Sequence, residues 1–186
     1  MVLIVVTVAA GVIAGWVRGG RVRHIASASI RGGALVVAAA LAQAVHAVAP
    51  QPQVAVAMTG LSQVALLAFL WLNRFAAGAL LVAMGSSLNA AVILANGAMP
   101  VSRDAIIAVS RRPYEVMGRH RLLQPGDAFP WLADVTGLPL LRTVVSVGDV
   151  VLAAGAGMLV MWLMRPPRRP ATSAADPVDG FRQTLP

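Results

Sequence analysis

The stretch GGALVVAAALAQAVHAVAPQPQVAVAMTGLSQVALLAFLWLN, residues 32–73, runs for 42 residues without a Lys, Arg, Asp or Glu. His46 is its one titratable side chain. It breaks once, at Pro50-Gln51-Pro52-Gln53, into two apolar halves of about the length that the hydrocarbon core of a bilayer demands. A pair of such halves joined by an uncharged turn reads as two membrane helices rather than as the core of a soluble domain.

Working outward, the chain repeats the pattern. Apolar runs occupy residues 2–17, 33–49, 54–72, 75–95 and 144–164, and basic or proline-rich connections separate them. The expected fold is all-α: a polytopic membrane protein of about five transmembrane helices, with its membrane domain over 1–165. An interfacial segment over 96–143 joins the fourth and fifth helices, and a polar tail over 166–186 reads as disordered and cytoplasmic. The first run has no basic residues before it and Arg18, Arg21 and Arg23 after it, the reverse of a cleavable signal peptide. Gly11 and Gly15 form a GxxxG pair, which either admits the backbone of another helix or reflects a chain rich in Gly.

Composition agrees. Hydrophobic residues make up 58% of the 186, more than a soluble domain of this size can bury. The net charge of +8 comes from 15 Arg with no Lys. The arginines cluster at the ends of apolar runs and no aromatic platform interleaves with them, which favours membrane orientation over nucleic-acid binding. The Arg-only, Ala- and Val-rich usage suggests a bacterial source. With no Cys in the chain, disulfides and thiolate metal sites are excluded.

Five spans with the first loop inside place the amino terminus outside and the carboxyl terminus in the cytoplasm of a bacterial inner membrane. The cytoplasmic segments then hold nine Arg and the external segments six, a modest bias in the expected direction. Trp16, Trp71 and Trp162 all fall at cytoplasmic helix ends, where an interfacial belt places them. Within the interfacial segment, Ser102 is set to cap a short helix carrying Asp104 in its first turn and Ile106, Ile107 and Val109 on one side. The rest of that segment alternates Pro, Gly and large apolar residues, and is expected to lie on the outer face over the helix ends.

Polar residues inside the spans mark where function is to be sought. Asp149 lies near the outer end of the fifth span, where an ionisable side chain is costly and tends to face protein. Alternatively the fifth helix starts later and Asp149 caps it. Asn89 and Asn96 are seven residues apart on nearly one face of the fourth span, and both can donate to Asp149, either as part of a site or as glue between helices. Gln43 and His46, one turn apart on the second span, and Thr59, Ser62 and Gln63 on the third add to an outward polar bias.

The run Gly85-Ser-Ser-Leu-Asn89-Ala-Ala-Val-Ile-Leu-Ala-Asn96-Gly97-Ala-Met99-Pro100-Val101, taken with Ser146-Val-Gly148-Asp149-Val150, resembles an uncharacterised family of small bacterial integral-membrane proteins, a domain of unknown function. The resemblance covers about residues 1–165. It departs at Ala98, where the family usually has Gly, and at Ser86 or Ser87, where it has Asn. It implies that Asn89, Asn96, Gly97, Pro100, Gly148 and Asp149, with Ser146 in the same motif, belong to one recurring site. It implies no activity.

The chain shows no phosphate loop, no HExxH and no nucleophile elbow, so no catalytic or metal-binding residue is assigned and no cofactor is expected. The expected function is a membrane protein that binds a small ligand, lipid or partner protein in the outer half of the bilayer. Membrane lipids, another membrane protein or a second copy of the chain are the partners considered. A small transporter or channel-like oligomer is one alternative, although no inverted repeat is evident. An intramembrane enzyme using Asp149 is the other, and it needs either a metal or a second acid, for which Asp127 and Asp134 are available.

Overall fold

The computed structural model describes residues 2–48, 51–110 and 120–166. Among them are seven α-helices: α1 (Val2–Val17), α2 (Arg23–Ala26), α3 (Gly33–Val48), α4 (Pro52–Leu72), α5 (Ala79–Asn96), α6 (Arg103–Val109) and α7 (Val147–Leu163). Four short strands also form, β1 (Met99–Val101), β2 (His120–Leu122), β3 (Thr136–Leu138) and β4 (Thr143–Val145). The protein is mostly helical, and the all-α expectation is corrected by these strands. Pro and Gly break the helical pattern between α5 and α7, and the freed backbone groups pair in short ladders instead.

The expected apolar runs reappear as α1, α3, α4, α5 and α7, with two edges moved. Helix α5 starts at Ala79 rather than residue 75, because Gly78 turns the chain at φ 91°. Helix α7 starts at Val147 rather than residue 144, because β4 pairs with β3 and Ser146 caps the helix. Helices α4 and α5 are long and apolar enough to cross a membrane, over Gln53–Leu72 and Ala79–Asn96. Helices α1, α3 and α7, at 16, 16 and 17 residues, are shorter, so length and composition support two spans rather than five. Nearly all of the expected tail, residues 167–186, lies outside the described residues.

The helices pack in the order α3, α4, α5, α7, α1, with α7 held between α5 and α1. Glycine permits this closeness. A Cβ on Gly11 would overlap the carbonyl oxygen of Gly157, and one on Gly85 would meet the backbone of Gly148 and Leu152. Backbones in such contact gain dispersion and leave no room for a side chain. The outward sides of the helices are apolar and exposed, as at Val5, Ile13, Leu41, Leu61, Val64 and Leu80.

The bundle has two distinct ends. At one, Arg21 N donates to Met164 O (2.9 Å), and Asn73 Nδ2 donates to Arg31 O (2.8 Å). Arg18, Arg21, Arg23, Arg31, Arg74 and Arg165 gather there with Trp16, Trp71 and Trp162, and Arg74 stacks 4.8 Å from the Trp71 ring centre.

The other end carries the segment between α5 and α7. Strand β1 pairs in parallel with β2, setting Met99 opposite His120 and Val101 opposite Leu122. On its other edge β1 takes up Asp134, whose N–H donates to Pro100 O (3.0 Å) and whose carbonyl accepts from Ser102 N (2.9 Å). Strands β3 and β4 form an antiparallel pair, and α6 packs against them. Ser102 caps α6 as expected, its Oγ accepting from Ala105 N. Ala105 and Ile106 are buried, but Ile107 is exposed, so the apolar face of α6 excludes it.

Candidate functional site

Asp149 occupies the first turn of α7 in a capping box. Ser146 Oγ accepts from Asp149 N (3.0 Å), and Asp149 Oδ2 accepts from Ser146 N (3.2 Å). The later helix start therefore makes Asp149 a cap, and the residue is also more than a cap. Its Oδ1 accepts from Asn89 Nδ2 at 2.7 Å, while Asn89 Oδ1 accepts from the Ser146 hydroxyl at 2.9 Å. Asn89, Ser146 and Asp149 thus close a ring of hydrogen bonds between α5 and α7. Gly148 leaves the space for it, since a Cβ there would collide with Asn89 Oδ1. The donors around Asp149 are those a carboxylate takes.

The second acid is Asp134. Its backbone is locked to β1 on both sides, at Pro100 and Ser102, which drives its side chain under the covering segment toward α7. That side chain is only 7% exposed, and its Oδ1 is buried with no hydrogen-bond partner. Burial first, and then the neighbouring Asp149 carboxyl, push the Asp134 carboxyl up to about 7. His120 Nε2 lies 3.5 Å from Asp134 Oδ2.

These groups open into one cavity of about 350 Å³. Asp134, Asp149 and His120 form its polar side, with Arg142 and Thr143, and Ile4, Val101, Ile106 and Val109 supply apolar wall. Ile4 comes from the first turns of α1, so the cavity sits where α1, α7 and the covering segment meet. Its volume is within the range of small-molecule sites. The Arg142 backbone adopts a left-handed conformation (φ 48°), a costly one for a residue with a side chain, and its guanidinium makes no hydrogen bond or ion pair among the described residues. No group of three or more His, Cys, Asp or Glu suited to a metal occurs among the described residues.

Other sequence candidates lie elsewhere. Asn96 does not reach Asp149: it donates to Val92 O (2.8 Å) and Ala128 O (3.0 Å) and accepts from Ala128 N (2.9 Å). It is a clasp that fastens the covering segment to the end of α5, and Gly97 (φ 75°) ends that helix. Pro100 is buried in β1 and contributes the carbonyl that holds Asp134. His46 Nδ1 lies 2.7 Å from Ala55 O and 3.1 Å from Thr59 Oγ1, joining α3 to α4, and Gln43 sits one turn before it on α3. Neither is among the residues lining the cavity. Gln63 Nε2 donates to Ser86 and Ser87 hydroxyls (both 3.2 Å), joining α4 to α5.

Asp127, the other candidate second acid, is taken by Arg121. The guanidinium makes a bidentate pair with it, at 2.8 and 2.6 Å, and Gln124 N donates at 2.8 Å. The Arg121 hydrogen bonds first, then the Gln124 N–H, hold the Asp127 carboxyl below its ordinary value. Sequence reading did not single out His120, Arg142 or Thr143, because only the strand pairings bring them to one wall. Asp134 carried a weak signal, in the run Trp131-Leu132-Ala133-Asp134 that precedes the Ser146–Asp149 motif.

The chain has no significant match among curated proteins or among solved structures. Residues 27–161, which hold every polar group of the cavity, match the Family of unknown function (DUF5317). The expected resemblance to an uncharacterised family is therefore shown, and the chain belongs to the DUF5317 family.

Proposed function

We propose that this protein spans a bacterial inner membrane several times and binds a small ligand in the cavity between the covering segment and the ends of α1 and α7. The observation that carries the reading is Asp134, a residue of the cavity wall whose buried Oδ1 the protein leaves without a hydrogen bond. An oxygen in that state is costly unless something supplies a hydrogen bond to it.

Several features support the membrane setting. Only 22% of the α4 span and 28% of the α5 span is buried inside the protein, whereas the core helix of a soluble domain is mostly covered. The exposed apolar faces then serve as lipid contacts. Helices α1, α3 and α7, about 24 Å long by the rise of an α-helix, complete a five-span bundle by local thinning of the bilayer. The Arg- and Trp-rich end is the cytoplasmic one by the positive-inside rule, so the cavity opens outward and the carboxyl terminus lies inside. Cysteines introduced at Gln51 and Ser27 test this: a membrane-impermeant maleimide should label Gln51→Cys and spare Ser27→Cys in intact cells. The reverse pattern inverts the topology.

Ligand binding is tested by extracting the full chain into lipid nanodiscs without detergent and identifying what stays bound by mass spectrometry. A stoichiometric small molecule or lipid, lost in Asp149→Asn, is the expected result. A stoichiometric protein in its place makes the chain an accessory subunit.

The approach of Asp134 to Asp149 favours a second reading, an intramembrane enzyme. Two carboxyls in unlike surroundings, one well supplied with donors and one buried without them, form the arrangement in which one acid keeps a proton beside a carboxylate.

A further inference from the structure

We propose that Asp134 and Asp149 form a catalytic carboxyl pair that hydrolyses a peptide bond in an extended polypeptide lying along the free edge of β4. The inference rests on the cavity being a ligand site and names its substrate class and reaction.

Three independent features carry it. First, the two acids line one cavity in surroundings that divide their roles. Asp149 accepts from Asn89 Nδ2 and Ser146 N, while Asp134 is enclosed. Second, Asp134 lines the cavity, and the protein leaves its buried Oδ1 without a hydrogen bond, an unmet demand at the edge of the site. Third, Thr143 and Val144 of β4 line the same cavity, and β4 pairs with β3 on one edge only among the described residues. An unpaired strand edge is a template for an extended peptide, whose backbone supplies the missing partners. That edge selects a polypeptide over a lipid ester. The apolar wall of Ile4, Val101 and Ile106 gives room for an uncharged side chain beside the scissile bond.

The chemistry balances with water as co-reactant. Asp149 carboxylate takes a proton from water as the water oxygen bonds to the amide carbon, and Asp134 gives its proton to the carbonyl oxygen. The resulting gem-diol collapses when Asp149 passes its proton to the amide nitrogen and the C–N bond breaks. Asp134 recovers a proton from one hydroxyl as the carbonyl re-forms. One water is consumed, a carboxylic acid and an amine leave, and the pair returns to its one-proton state.

The test uses the full chain in lipid nanodiscs with two probes. One is an apolar peptide whose central amide is replaced by a statine secondary hydroxyl, which places a non-hydrolysable hydroxyl between the carboxyls. The other is the membrane protein fraction of the source cell after deletion of this gene, incubated in water enriched in oxygen-18. The expected result is statine-peptide binding and new carboxyl termini carrying one heavy oxygen. Cleavage should fall roughly 100-fold or more in both Asp134→Asn and Asp149→Asn. Thermal unfolding of the two variants confirms that each is folded. Statine-peptide binding without cleavage would overturn the catalytic step and leave the cavity a ligand site. Absence of both would overturn the peptide-substrate assignment, while what stays bound to the chain in nanodiscs decides the ligand reading separately. Cleavage that survives in both variants would remove the carboxyl pair from the reaction.

Discussion

Asp134 and Asp149 line the same cavity, although the covering segment carries the first and the opening turn of α7 the second. Two backbone hydrogen bonds to β1 hold Asp134 there, and a capping box with Asn89 holds Asp149. The backbones of both residues are fixed by these bonds, so the fold itself brings the two acids to one cavity.

Asp134 makes the folded protein sensitive to pH. Its carboxyl keeps a proton up to about 7 in the folded state, against 3.8 when unperturbed. Its contribution to stability is full below the lower value and is lost as pH rises through the upper one, at about 1.4 kcal/mol for each pH unit between them. Asp134→Asn, neutral at every pH, should match the wild type in thermal unfolding at pH 4 and exceed it by a few kcal/mol at pH 8. Equal stability at both pH values would contradict a buried, proton-holding Asp134.

Asn89 should prove structural as well as local to the site. Asn89→Ala removes the donor to Asp149 and the acceptor for the buried Ser146 hydroxyl. The expected loss is about 1–3 kcal/mol for each group left unsatisfied, read as a lower unfolding temperature. A change too small to measure would mean that water replaces both contacts.

Glycine substitutions should separate sharply by location. Gly85→Ala would drive a methyl into the α7 backbone, while Gly60 of α4 has nothing within 4 Å of where a Cβ would go. Overpacking should cost Gly85→Ala about 1–3 kcal/mol, and Gly60→Ala should be neutral or slightly stabilising. Similar unfolding temperatures for the two would refute the close contact of α5 with α7.

Asn96 should control the covering segment without touching the helices. Asn96→Ala deletes both hydrogen bonds to Ala128. Hydrogen exchange at the Ala128 amide should accelerate at least tenfold, while amides in the middle of α5 and α7 keep their protection. Uniform acceleration across the helices would show that Asn96 supports the bundle as a whole.

The apolar runs made the five long helices readable, because nothing in them competes with helix formation. The contact of Asn89 with Asp149 was readable for a similar reason, since antiparallel neighbours bring the same depth together. Asn96 was misread because, at the end of α5, its amide turns back to Val92 and outward to Ala128. Gln43 and His46 lie on α3 and are not among the residues lining the cavity, because depth in a membrane says nothing about which helices are neighbours. Asp134 was named only as one of two acids that could approach Asp149, and Arg142 was not singled out, for a different reason. Their places depend on three-residue strands whose pairing no local pattern announces, and on a left-handed backbone that Arg rarely adopts.

The central claim is that the buried Asp134 carboxyl keeps its proton beside Asp149. Carboxyl titration of the full chain in nanodiscs, followed by the infrared carbonyl band of protonated acids with Asp134→Asn as assignment, tests it most directly. The account predicts one carboxyl that loses its proton near pH 7, absent in Asp134→Asn and moved to lower pH in Asp149→Asn, where the neighbouring charge is gone. A wild-type spectrum with no protonated carboxyl above pH 5, or a titration unmoved by Asp149→Asn, would contradict it.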